Sequence, residues 1–163
     1  MRTVRLQVRF PADDPMAAFH AIADFAAFPA LADDVRAVEV HPAPVPGAPR
    51  DSDWTVNFRR GLLRWNEWES VDAARLRIEF EQADGDFADF HGHWQVTATD
   101  GGCSARFEAG YDFGIESLAG LMDPIAERVI TRVVRSVLTG LFGDITVVDG
   151  GGSHLDIVRT ALG

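Results

Sequence analysis

The chain has 163 residues, 47% of them hydrophobic, a formal net charge of -10, and no lysine among its fifteen basic residues. That length suits one domain with a substantial core, and no apolar run approaches the roughly 20 residues of a membrane span. The acidity speaks against nucleic acid, which relies on a basic surface to displace counterions, and the missing lysine removes Schiff-base chemistry.

Residues 3–10 alternate, with Val4, Leu6, Val8 and Phe10 on one face, which predicts a first strand. The opening Met-Arg-Thr-Val-Arg runs straight into it rather than into an apolar signal segment, so the expected location is cytoplasmic. Pro11 ends the strand. Asp13-Asp14-Pro15 then opens a helix, with acidic residues at the positive end of its dipole and proline in the first turn. It runs to about Ala23, and residues 25–31 form a second short helix. Alternation returns at residues 35–41, and residues 42–50 read as a proline-rich loop.

Five more strands follow at 53–60, 62–71, 75–82, 87–99 and 103–115, separated by short Gly- and Asp-containing turns. Short turns make successive strands antiparallel neighbours, a meander. Cys103, the single cysteine, sits in the last turn and excludes an intrachain disulfide or a thiolate metal cluster. Leu118, Leu121, Met122, Ile125, Val129, Val133, Val137 and Leu141 then recur at helical spacing and predict one long helix ending near Phe142. Residues 1–143 therefore read as one α+β domain: a curved antiparallel sheet of about seven strands, two short helices after strand one, and a long C-terminal helix over the sheet. Residues 144–163, with Gly150-Gly151-Gly152 as a hinge, are a tail without an assigned packing.

One helix cannot fill a wide concave sheet face, so a cavity for a small hydrophobic ligand is expected beneath it. Trp54 and Phe58 share one strand face, and Phe90 and Trp94 share another with Gly92 between them. Trp65, Phe80, Phe107 and Phe113 come from neighbouring strands, and Ile125 and Val129 from the helix. These ten residues are the candidate ligand-binding set; the plainer reading is that the rings only pack a core.

The candidate catalytic residues are Glu67, Glu69 and Tyr111. The face of 62–71 is open: either Leu63, Trp65, Glu67 and Glu69 point inward, or Leu62, Arg64, Asn66 and Trp68 do. In the first case two carboxylates share an apolar cavity, where desolvation and repulsion raise at least one pKa toward neutrality. Such a pair can move protons at a carbon beside a carbonyl. Tyr111 lies on an apolar strand face, so its hydroxyl must meet either a backbone partner or a ligand oxygen.

His91 and His93 share a face opposite Phe90 and Trp94, hence outward, and lack a third ligand at suitable spacing; no metal and no cofactor is expected. Arg128, Arg132 and Arg135 form a basic stripe on the long helix, a solvated face that would also suit an acidic acyl carrier protein. A homodimer is compatible with these features.

Several stretches resemble the helix-grip fold of the START and polyketide-cyclase superfamily (SRPBCC), in particular its cyclase and coenzyme-Q-binding branch. They are Gly61 to Trp65 followed by Glu67; Phe80-Glu81-Gln82 leading to Gly85-Asp86-Phe87; Phe90-His91-Gly92-His93-Trp94; and Tyr111-Asp112-Phe113-Gly114-Ile115. The likeness spans about residues 3–142. It implies a cavity between sheet and long helix that folds poly-β-ketone chains for cyclisation and dehydration; the alternative is a non-catalytic carrier of a lipid or quinone. It also implies a pocket arginine after the strand tryptophan, and in this chain Glu69 stands at that place.

Overall fold

The structure, a computed structural model, describes residues 1–150. Strand β1 (Arg2–Phe10) leads to helix α1 (Pro15–Ala23), a single helical turn at Phe25–Ala27, and α2 (Phe28–Leu31). Strands β2 (Val35–His41), β3 (Arg50–Phe58), β4 (Gly61–Asp72), β5 (Arg77–Gly85), β6 (Asp89–Thr99) and β7 (Gly102–Asp112) follow, then helix α3 (Glu116–Phe142) and strand β8 (Thr146–Gly150). All strands join one antiparallel sheet in the order β2-β3-β4-β5-β6-β7-β1-β8. The α+β helix-grip arrangement expected from the sequence is present, with an eighth strand supplied by the segment set aside as a tail. Residues 151–163 lie outside the described residues.

Local chemistry explains the elements. Asp14, in extended backbone, accepts the Met16 N–H at 3.0 Å and caps α1 ahead of Pro15. In β7, Ala105, Phe107, Ala109 and Tyr111 are buried, and β1 answers from across the ladder with Val4, Leu6 and Val8. Phe10 stacks on Phe142 with ring centres 3.9 Å apart, tying the end of α3 to the end of β1. Every residue of β8 is exposed, so that strand rests on its backbone pairing with β1 rather than on side-chain burial.

A bulge and two glycines set how closely neighbouring strands approach. Between β4 and β5 the register slips at Asn66/Glu67, leaving Ala83 as an extra residue, a bulge that adds twist. Gly85 next to it has φ +150, and a Cβ there would meet the Trp65 Cβ at 2.4 Å and Cα at 2.5 Å. Only glycine lets the two strands approach this closely. At Gly92, a Cβ would lie 2.1 Å from the Glu108 carbonyl oxygen and 2.7 Å from the Phe80 ring. The gap opened by that missing side chain is therefore taken up by Phe80.

Among the described residues no helix is long and apolar enough to cross a membrane. Replacing Gly85 by alanine forces the bulge apart at backbone atoms; the expected cost is about 2–4 kcal/mol, read as a lowered urea midpoint with an unchanged slope.

Candidate functional site

Strand β4 resolves the open choice of face. Leu63, Glu67 and Glu69 are buried and Trp65 is half-buried on the inner side, whereas Leu62, Arg64 and Trp68 are exposed, Trp68 by 52%. Both glutamates thus stand inside the sheet's concavity, 3% and 0% exposed.

A buried carboxylate is costly unless paired and hydrogen-bonded, and the neighbouring strand supplies the partners. Arg50 lies directly opposite Glu69 in the β3–β4 ladder and Ser52 opposite Glu67. The Arg50 Nε donates to Glu69 Oε1 at 2.7 Å, and its Nη2 donates to the Ala23 carbonyl at 2.7 Å. The guanidinium sits 4.8 Å from the centre of the Phe25 ring. Ser52 donates its hydroxyl to Glu69 Oε2 and accepts the Trp54 indole N–H at 2.7 Å. Each oxygen of Glu69 therefore has a donor.

Glu67 is treated differently. Its Oε1 accepts the Trp65 indole N–H at 2.8 Å, and among the described residues no cation is paired with it. Burial pushes its pKa well above the ordinary carboxylate range, and the charge and hydrogen bonding of Glu69 push it further; the Trp65 bond and the Arg50 charge oppose this. Two carboxyl groups two residues apart have been given opposite surroundings, the arrangement that separates an acid from an anion.

Between sheet and helix lies a cavity of about 70 Å³. Trp54, Trp65, Phe80, Phe90, Trp94 and Phe107 line it from the strands, and Val129, Ile130, Val133 and Val134 from α3. Phe25, Phe28 and Val56 complete the apolar wall, and among the described residues Glu67 is its one ionisable member. Trp54 and Trp65 stack in parallel with centres 5.6 Å apart, directly paired across the ladder.

Three of the ligand-binding candidates stand outside this wall. Phe58 and Phe113 pack at 5.8 Å between ring centres, and Phe113 stacks on Phe87 at 5.0 Å, a ring cluster apart from the cavity lining. Ile125 is half-buried against the core. Tyr111 is fully buried, and its hydroxyl donates to the Asp123 carbonyl at 2.6 Å, fastening β7 to α3. Burial raises its phenol above the ordinary value. Arg50 stands at the end of a proline-rich stretch and Ser52 among polar neighbours, so neither stands out in the sequence. The only signal was the mismatch of a glutamate on an inward face, which demands a cation from somewhere.

On the outer face, His91 pairs with Asp89 at 2.9 Å and is exposed, while burial lowers the pKa of half-buried His93. Of the α3 arginines, Arg128 is exposed and Arg132 is bound to Asp34 at 2.5 Å.

The profile of the polyketide cyclase/dehydrase and lipid transport family matches residues 12–138, and the chain belongs to that family. The protein TTHA0849 of Thermus thermophilus is 25% identical and superposes with a TM-score of 0.75, over 86% of this chain and 94% of that one. The Zhui aromatase/cyclase from Streptomyces sp. R1128 is 18% identical, with a TM-score of 0.68 over 87% and 92%. A START superfamily protein from Mycobacterium smegmatis is 12% identical, with a TM-score of 0.67 over 85% and 93%. The last two share the fold. No curated protein sequence matches the chain.

Glu67 gives a pH prediction whose sign is fixed. Its folded pKa lies above its unfolded value near 4.5, so its contribution to stability is full below that value and is lost as pH rises through the folded pKa. Glu67→Gln removes this loss: urea unfolding as a function of pH is expected to show a shallower decline for the variant across that window.

Proposed function

We propose that the cavity binds an apolar ligand bearing a carbonyl, and that protonated Glu67 donates its proton to that oxygen to promote cyclisation and dehydration of a poly-ketone type substrate. The supporting observation is the setting of Glu67: the one ionisable group in an otherwise apolar wall, with its pKa raised. An uncharged carboxyl costs little to bury and can give a hydrogen bond, as a carboxylate cannot.

The proton count closes with one residue. As an enol carbon of the substrate attacks its own carbonyl carbon, the new C–C bond forms while the carbonyl oxygen takes the Glu67 proton. The proton released by the nucleophilic half returns to the Glu67 carboxylate. In dehydration the same carboxyl protonates the departing hydroxyl, water leaves, and the proton lost from the adjacent carbon restores the acid. Glu69, bound by Arg50 and Ser52, stays out of this exchange, and Tyr111 serves as a fastener between β7 and α3.

Size sets a condition. A cavity of about 70 Å³ is about half the roughly 150 Å³ that admits benzene, so a poly-ketone enters only if a wall gives way. The front of α3 is loosely packed: within residues 116–125 no side chain is fully buried, Met122 and Ile125 are half-buried against the core, and Pro124 lacks the N–H that would bond the Gly120 carbonyl. Ile115, Leu118 and Leu121 are exposed there, by 50%, 40% and 52%.

With an unstable poly-ketone as substrate, Glu67→Gln is expected to slow closure by about 10²-fold or more while still binding 2-acetylnaphthalene as a probe of the cavity. Unchanged turnover would remove the proposed acid. Tight retention of a co-purified lipid in native mass spectrometry, with no conversion of any ketide, would favour the carrier instead.

A further inference from the structure

We infer that Arg50 and Ser52 are positioning residues that fix Glu69 as the permanent anion of the buried pair, so that Glu67 alone carries the exchangeable proton. This rests on the role proposed for Glu67 and adds the device that sets it.

Glu69 has a cation on one oxygen at 2.7 Å and a hydroxyl donor on the other. Arg50 is itself held in place: a second nitrogen is bound to the Ala23 carbonyl at the end of α1, and its plane lies over the Phe25 ring. Ser52 cannot turn freely either, because the Trp54 indole donates to its oxygen and leaves its proton for Glu69. Every hydrogen bond in this chain runs one way, from Trp54 to Ser52 to Glu69 and from Arg50 to Glu69. Glu69 therefore only accepts, and the arrangement is that of a carboxylate.

Glu67 receives one indole N–H and no cation. One positive charge for two carboxyl groups leaves room for one negative charge in a dry site. The charged groups facing Glu67 are Glu69 on its own strand and Arg50 on β3. From α2, β5, β6, β7 and α3 the cavity wall is apolar. Arg50 thus acts on the ligand only through Glu69 and Glu67, which distinguishes it from a side chain that would clamp a substrate oxygen directly.

The Trp65 indole bonded to Glu67 supplies a ligand-free readout. Tryptophan fluorescence of the wild-type protein, titrated with acid and base, is expected to show a step that Glu67→Gln abolishes; its absence would overturn the reading of Glu67 itself. Given that step, Glu69→Gln should shift its midpoint to lower pH by about one to three units, and the pH at which 2-acetylnaphthalene binding is lost should move with it. Arg50→Gln should move the step upward, and Arg50→Lys should return it toward the wild-type position. Should Arg50→Gln fail to fold, the double variant Arg50→Gln/Glu69→Gln removes both charges together and should place the step below that of the wild type. A Glu67-dependent step that stays put in Glu69→Gln and in the double variant would refute the positioning role while leaving the acid role standing.

Discussion

Two buried glutamates share one half-buried arginine on adjacent strands β3 and β4, and the rest of the site follows from that imbalance of charge. Removing one partner from such a buried group costs about 3–5 kcal/mol, because the remaining charge has nowhere to go. The fold avoids that cost for Glu69 by pairing it across the β3–β4 ladder with Arg50. For Glu67 it takes the other route and favours the neutral form. Backbone register, not side-chain flexibility, assigns these fates: residue 50 stands opposite 69, and 52 opposite 67.

The aromatic rings make the imbalance consequential. They surround Glu67 with an apolar wall, and that burial is the main cause of its raised pKa, on which its proposed role as a proton donor rests. The bulge at Ala83 and the glycine at 85 bring β5 close to Trp65, whose indole N–H then orients the Glu67 carboxyl. Curvature, dryness and protonation are thus linked through a few residues of β4 and β5. The same crowding leaves the cavity small, and the front of α3, where no side chain is fully buried, is the wall proposed to yield to a ligand.

Much of the fold was legible because period-two and period-3.6 patterns persist over long stretches. The apolar parity of residues 105–113 and the helical spacing from Leu118 to Leu141 each identify their element unaided. The site was legible only in part. Strand 62–71 carries a tryptophan on each parity, Trp65 and Trp68, so composition could not choose the inward face. Arg50 follows Pro49 and begins the run Arg-Asp-Ser-Asp, which looks like loop until β2 and β4 pair with it. Strand β8 buries no side chain and so leaves no periodic trace. The distance of Phe58 and Phe113 from the cavity depends on position along the strands, which parity does not encode.

The proposed division of roles makes Glu67 the neutral member of the buried pair and Glu69, held by Arg50 and Ser52, the anion. Infrared difference spectra of the folded protein at pH 7, wild type against Glu67→Gln and against Glu69→Gln, test it directly. The account predicts a protonated carboxylic C=O band in the wild type that disappears in Glu67→Gln, and an ionised carboxylate band that disappears in Glu69→Gln. A wild-type spectrum with no protonated carboxyl band, or one that survives in Glu67→Gln, would contradict it.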